Sequence, residues 1–159
     1  MNFSSVKAIA TPDGNVKKVQ RGDMILWETS TELLSGMFVN IIYRNKQKAS
    51  STATNATHSF TVTLHGIPME HVQSFGVRSY SYASASALRE SVGTYTAELL
   101  DTDYTGNHVE KTVTFTMRDA SYTYPSFAGF LTYTDLDGST KTLTTTRVRS
   151  VGESATASA

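Results

Sequence analysis

From His58 to His65 the chain alternates between apolar and polar side chains, with Phe60, Val62 and Leu64 on one parity and Thr61 and Thr63 on the other. A period of two sends successive side chains to opposite faces of an extended strand, so this run fits a sheet with one buried face. The pattern returns from Val109 to Met117, where Val109, Val113, Phe115 and Met117 share odd parity and Lys111 breaks it. Met37–Arg44 reads as a well-buried strand. Val77–Tyr82 puts Val77, Ser79 and Ser81 on one face and Arg78, Tyr80 and Tyr82 on the other. Thr94–Leu100, Phe127–Thr134 and Thr140–Val148, the last anchored by Leu143, complete about seven strands between Met37 and Val151. There is no internal repeat and no long amphipathic helix. The expected fold is all-β, an immunoglobulin-like β-sandwich, with a jelly roll or small barrel as the next candidates. No Cys…Trp…Cys pattern supports an antibody-type domain.

Between the strands the punctuation is clear. Asp135-Leu136-Asp137-Gly138-Ser139 is a hairpin loop with Gly138 suited to a left-handed conformation. Arg118–Ser121 turns the chain, and Tyr122–Pro125 is irregular. Pro68 suits the first position of a short helix over Met69–Phe75, stopped by Gly76. Ala83–Val92 fits a short helix ended by Gly93, or a loop. Asn45–Thr57 has no apolar period and is expected to be an exposed, mobile loop. Ser30 or Thr31 is placed to cap one turn over Glu32–Leu34. Val151–Ala159 is expected to be a small-residue tail without core content.

The chain carries 24 Thr and 19 Ser, with 14 basic and 14 acidic residues and a formal net charge of zero. Threonine suits the half-wet face of a strand. The charge balance argues against a nucleic-acid surface. There is no cysteine, which excludes disulfides, thiolate metal sites and a Cys nucleophile, and fits a reducing cytoplasm. Met1–Ser5 lacks the basic start and apolar run of a signal peptide. No apolar run is long enough to span a bilayer, so no membrane partner is expected.

The search for chemistry returns little. His65 and His71 flank Glu70, but not at the spacing that puts two His on one helix face, and Pro68 interrupts the segment. Asp101, Asp103 and Asp135, Asp137 sit in Gly-containing loops loosely like calcium loops, yet solvated turns explain both. No Gly-x-Ser-x-Gly, no phosphate-cradling Gly loop and no pairing among Glu70, Glu90, Glu98 and Glu110 points to catalysis. Arg21-Gly22-Asp23 is a turn tripeptide, and Asn55-Ala56-Thr57 a sequon by pattern alone. A non-enzymatic protein without catalytic residues, cofactor or metal is expected. Tyr80 with Tyr82, and Tyr122 with Tyr124, form two Tyr-x-Tyr pairs, each presenting two rings on one face. They are candidates for a ligand or subunit contact.

The first 28 residues differ from the rest. Val6–Ala10 alternates weakly, Pro12-Asp13-Gly14-Asn15 is a strong turn signal, Val16–Gln20 alternates apolar and polar, and Met24–Trp27 is an apolar run closed by the chain's single tryptophan. This is a three-stranded meander, too small to offset its own ordering entropy and so in need of a surface to pack on. The domain plan is therefore a docking meander over 1–29, a sandwich over 30–151 and a tail over 152–159.

Val6-Lys7-Ala8-Ile9, Thr11–Val19, Gly22 and Ile25-Leu26-Trp27-Glu28 together resemble a short N-terminal module of tailed-bacteriophage virion structural proteins. In that module an apolar strand, a Pro-x-Gly-x-Val-Lys-Lys turn and strand, and a Leu-Trp close follow one another. The resemblance covers residues 6–28 and none of the downstream domain. It implies a fibre, tail or head-surface component, made in the host cytoplasm and located in the virion. It further implies assembly with other virion proteins and with copies of itself, and assembly contacts at Pro12, Gly14, Val16, Val19, Leu26 and Trp27. A host surface glycan is the second expected partner, through the four tyrosines and the Asn45–Thr57 loop.

Overall fold

A computed structural model describes residues 6–10, 16–21, 24–28 and 36–159. The chain divides into two compact units, Met1–Leu33 and Leu34–Ala159. In the first, β1 (Val6–Ala10), β2 (Val16–Arg21) and β3 (Met24–Glu28) form an antiparallel sheet in the order β1-β2-β3. Val19 stands at the register position opposite Ala8 on one side and Trp27 on the other. Val16 and Leu26 lie on β2 and β3. Pro12, Gly14 and the turn expected over Glu32–Leu34 lie outside the described residues.

The second unit is a sandwich of two four-stranded antiparallel sheets. One has the order β11-β4-β5-β8, from β4 (Phe38–Gln47), β5 (Asn55–His65), β8 (His108–Arg118) and β11 (Ser154–Ser158). The other has the order β10-β9-β6-β7, from β6 (Val72–Tyr82), β7 (Glu90–Thr96), β9 (Ser126–Thr134) and β10 (Thr140–Thr144). Alternation decides which side chains meet. Val39, Ile41 and Tyr43 of β4, Phe60, Val62 and Leu64 of β5, Phe75 and Val77 of β6, and Phe127 and Leu131 of β9 are all essentially without exposure. Their rings interlock: Phe60 lies 4.6 Å from Tyr43 and 4.8 Å from Phe127 between centroids. Gly129 lets the sheets close, because a Cβ there would fall 2.3 Å from Ile41 Cγ2.

The threonine content finds its place on the outer faces. Thr57 and Thr116 (2.8 Å), Ser59 and Thr114 (3.0 Å), and Thr132 and Thr142 (3.2 Å) join hydroxyls across neighbouring strands. Lys111 has the parity of the buried face of β8. Its ammonium leaves the core to meet Asp103 Oδ2 at 2.7 Å, which holds that carboxyl below its ordinary pKa.

Several expectations are corrected. Val151–Ala159 is no tail without core content: β11 pairs with β4 from Ser154↔Ile42 to Ser158↔Phe38, and Ala155 is buried. Its side chains are too small to signal a core strand, and the ladder hydrogen bonds hold it instead. Asn45–Thr57 is a loop only in its middle, since β4 runs through Gln47 and β5 begins at Asn55. Met69–Phe75 is a single 3₁₀ turn, Met69–His71, after an extended Pro68, with β6 starting at Val72. β7 begins at Glu90 rather than Thr94, and β10 ends at Thr144. The Asp135–Ser139 hairpin is as expected, with Gly138 at φ +82.

Candidate functional site

The tyrosines gather where β6 ends, β7 begins and the chain enters β9. Tyr80 and Tyr82 are the outward residues at the end of β6, opposite in parity to buried Val77 and Ser79. Tyr122 and Tyr124 come from the segment between β8 and β9. That segment is pinned by Thr123, which is 1 % exposed. Thr123 donates its backbone N–H (3.0 Å) and its hydroxyl (2.7 Å) to Ala120 O, and its carbonyl accepts from Tyr82 N (2.9 Å). Tyr82 and Tyr124 thereby line two adjoining grooves. One, of about 450 Å³, is completed by Glu90, Pro125 and Arg149; the other, of about 340 Å³, by Tyr122, Leu88 and the small residues Ser84, Ala85 and Ala87. Both are open surface depressions, with volumes at the lower end of those of small-ligand clefts.

The four rings are not equivalent. Tyr80 is covered: the Arg147 guanidinium lies 3.7 Å above its ring, and its Nη1 donates to both carboxylate oxygens of Glu90 at 2.8 and 2.9 Å. The Tyr122 ring and hydroxyl both meet Arg118. Tyr82 is half-buried and faces both grooves. Tyr124 is 70 % exposed and holds φ +43, the one positive φ on a non-glycine among the described residues. A bulky side chain in the left-handed region costs about 1–3 kcal/mol, and a following proline, here Pro125, disfavours helical conformations further. A large ring thus stands outward on a strained backbone, next to buried Thr123.

Arg147 and Arg149 border the grooves without having been singled out in the sequence, and Glu90 entered there only as a carboxylate without a partner. The available signal was the Arg147-Val148-Arg149 spacing. Val148 is buried and pairs with Phe127, so a period of two sends both arginines away from the core.

The remaining candidates lie elsewhere. His65 sits between Phe38 (5.2 Å between rings) and His108 (5.6 Å), whereas His71 donates from Nδ1 to Thr134 O at 2.8 Å, so the two motif histidines belong to separate clusters. Asp135 pairs with Lys141, and Asp137 accepts from Ser139 N at 2.8 Å. Among the described residues no three His, Asp or Glu side chains converge as metal ligands. His58 is fully buried. The Tyr43 hydroxyl and His58 Nδ1 share a hydrogen bond of 2.5 Å, and His58 Nε2 lies 3.9 Å from Asp119 Oδ2, which Lys46 neutralises. Burial pushes the His58 pKa down to about 4, against the opposing pull of Asp119, and raises that of Tyr43.

The chain matches no family model, no curated protein and no solved structure.

Proposed function

We propose that this chain is a non-enzymatic bacteriophage virion structural protein, a fibre, tail or head-surface β module, and that its tyrosine groove holds a host surface glycan. The observation that carries the second half is Tyr124: an exposed ring, held outward by a strained backbone beside Tyr82 in a groove of ligand size. Rigid tyrosines give large contact area at low entropic cost, and their flat faces suit the C–H face of a sugar ring. The one carboxylate lining the groove, Glu90, is engaged by Arg147, whereas glycoside hydrolysis uses two carboxylates across a bond. This supports binding over cleavage.

The virion half rests on the resemblance of residues 6–28. An immunoglobulin-like sandwich is part of the same reading. With β4 to β10 lettered A, B, C, C′, E, F and G, the sheets are A-B-E with β11 added beside A, and G-F-C-C′; the order of the lettered strands supports it. Two experiments test the proposal. Antibody to the chain labels purified particles in electron micrographs; unlabelled particles contradict the virion assignment. The purified chain binds sugars on a glycan array; no binding at millimolar sugar contradicts the groove.

A further inference from the structure

The charges around the groove are unequally engaged. Arg147 is committed twice over, to the Tyr80 ring and to Glu90. Arg118 is committed to Tyr122. Arg149 differs. It lines the larger groove with Tyr82 and Tyr124, and its guanidinium makes no ion pair among the described residues. Glu153, four residues on, is tied up locally: its carboxylate accepts the Arg149 backbone N–H at 2.6 Å, which holds its pKa below the ordinary range. The position of Arg149 is fixed, because Val148 is buried and exchanges two backbone hydrogen bonds with Phe127, at 2.8 and 2.9 Å. The groove therefore carries one guanidinium that forms no direct ion pair among the described residues, with Glu153 close enough only to feel its charge.

A guanidinium presents parallel N–H donors in a planar fork that matches a carboxylate better than a tetrahedral or neutral group. We propose that the groove selects an acidic sugar, its ring stacked on Tyr124 and its carboxylate on Arg149. This rests on the glycan reading above and adds the class of sugar. Arg147 is excluded from the role, since turning it to a ligand would uncover Tyr80 and strip Glu90 of its partner.

The test uses the full chain and three forms of one oligosaccharide: with a carboxylate on the terminal ring, with that group reduced to the alcohol, and with a sulfate in its place. Affinities are measured by calorimetric titration at fixed low salt. The carboxylated form is expected to bind about tenfold tighter than the reduced form, as for a charge-assisted hydrogen bond. Arg149→Gln is expected to remove the preference and bring the two forms to the same affinity, with the fold intact because Arg149 is exposed. Equal affinities for the wild type, or an undiminished preference in Arg149→Gln, overturn the assignment to Arg149 while leaving the groove a sugar site. Tighter binding of the sulfated form overturns the carboxylate class. Failure of all three sugars to bind overturns the glycan reading itself.

Discussion

His58 is buried among Tyr43, Phe115 and Phe127, and the charged groups that face it are Asp119, Lys46 and Lys48. Its folded pKa of about 4 lies below the ordinary value of 6.5 because burial disfavours the imidazolium. The unfolded chain therefore binds the proton first. The stability tied to His58 is complete above pH 6.5 and is lost as pH falls towards 4, a swing of about 3 kcal/mol if no other group intervenes. Asp103, Asp135, Asp137 and Glu153, all held below their ordinary values by lysine or hydrogen-bond donors, lose their contribution at lower pH and mark a separate step. Urea unfolding at pH 7.0, 5.5 and 4.5 checks this: the midpoint falls across the series, and His58→Phe flattens the fall. A wild-type midpoint independent of pH over that window contradicts the account. The parity of His58 with Phe60 and Val62 already aligned it with the core face, and its burial was legible from that alternation. Its pairing with Tyr43 and its approach to Asp119 were not, because they depend on β4 and on the chain beyond β8.

Among the elements, strands with one apolar face were readable and strands without one were not. β5 and β8 alternate large apolar with hydroxyl residues, and the burial of Phe60, Val62, Leu64, Val113 and Phe115 follows that parity. β7 has both faces half in solvent, and β11 offers only Ala155 and Ala157 to the core, so neither carries a hydrophobic period. The outer reach of β4, Asn45–Gln47, is strand because Ser59, His58 and Thr57 stand opposite it, a partnership no local pattern encodes. The same holds for Gly129, which reads as a weak point in β9 yet marks a close approach between the sheets. A methyl there meets Ile41 Cγ2 at 2.3 Å and Thr145 Cγ2 at 3.3 Å. Gly129→Ala is expected to cost about 1–3 kcal/mol through overpacking, read as a lower urea midpoint with unchanged slope. An unchanged midpoint contradicts the close-packing argument.

At the scale of the molecule, a small three-stranded sheet precedes a two-layer sandwich, and the sandwich collects tyrosines and arginines around two grooves at one end of its β10-β9-β6-β7 sheet. The Tyr-x-Tyr spacing made each pair of rings visible in the sequence. That the two pairs meet was not visible, since residues 80–82 and 122–124 are joined through the β6–β9 ladder and the Tyr82–Thr123 hydrogen bond. Tyr124 decides whether this meeting is functional. Its left-handed backbone contributes nothing to packing, and its ring stands in solvent. Glycine at this position relieves the strain and removes the ring together. The measurement that tests the account most directly is therefore a paired one on Tyr124→Gly: thermal unfolding and sugar binding in the same buffer. The account predicts a Tm equal to or above that of the parent, with sugar affinity reduced at least tenfold. A variant that binds sugar as the parent does, or that melts well below it, contradicts the assignment of Tyr124 as a strained ligand-holding residue.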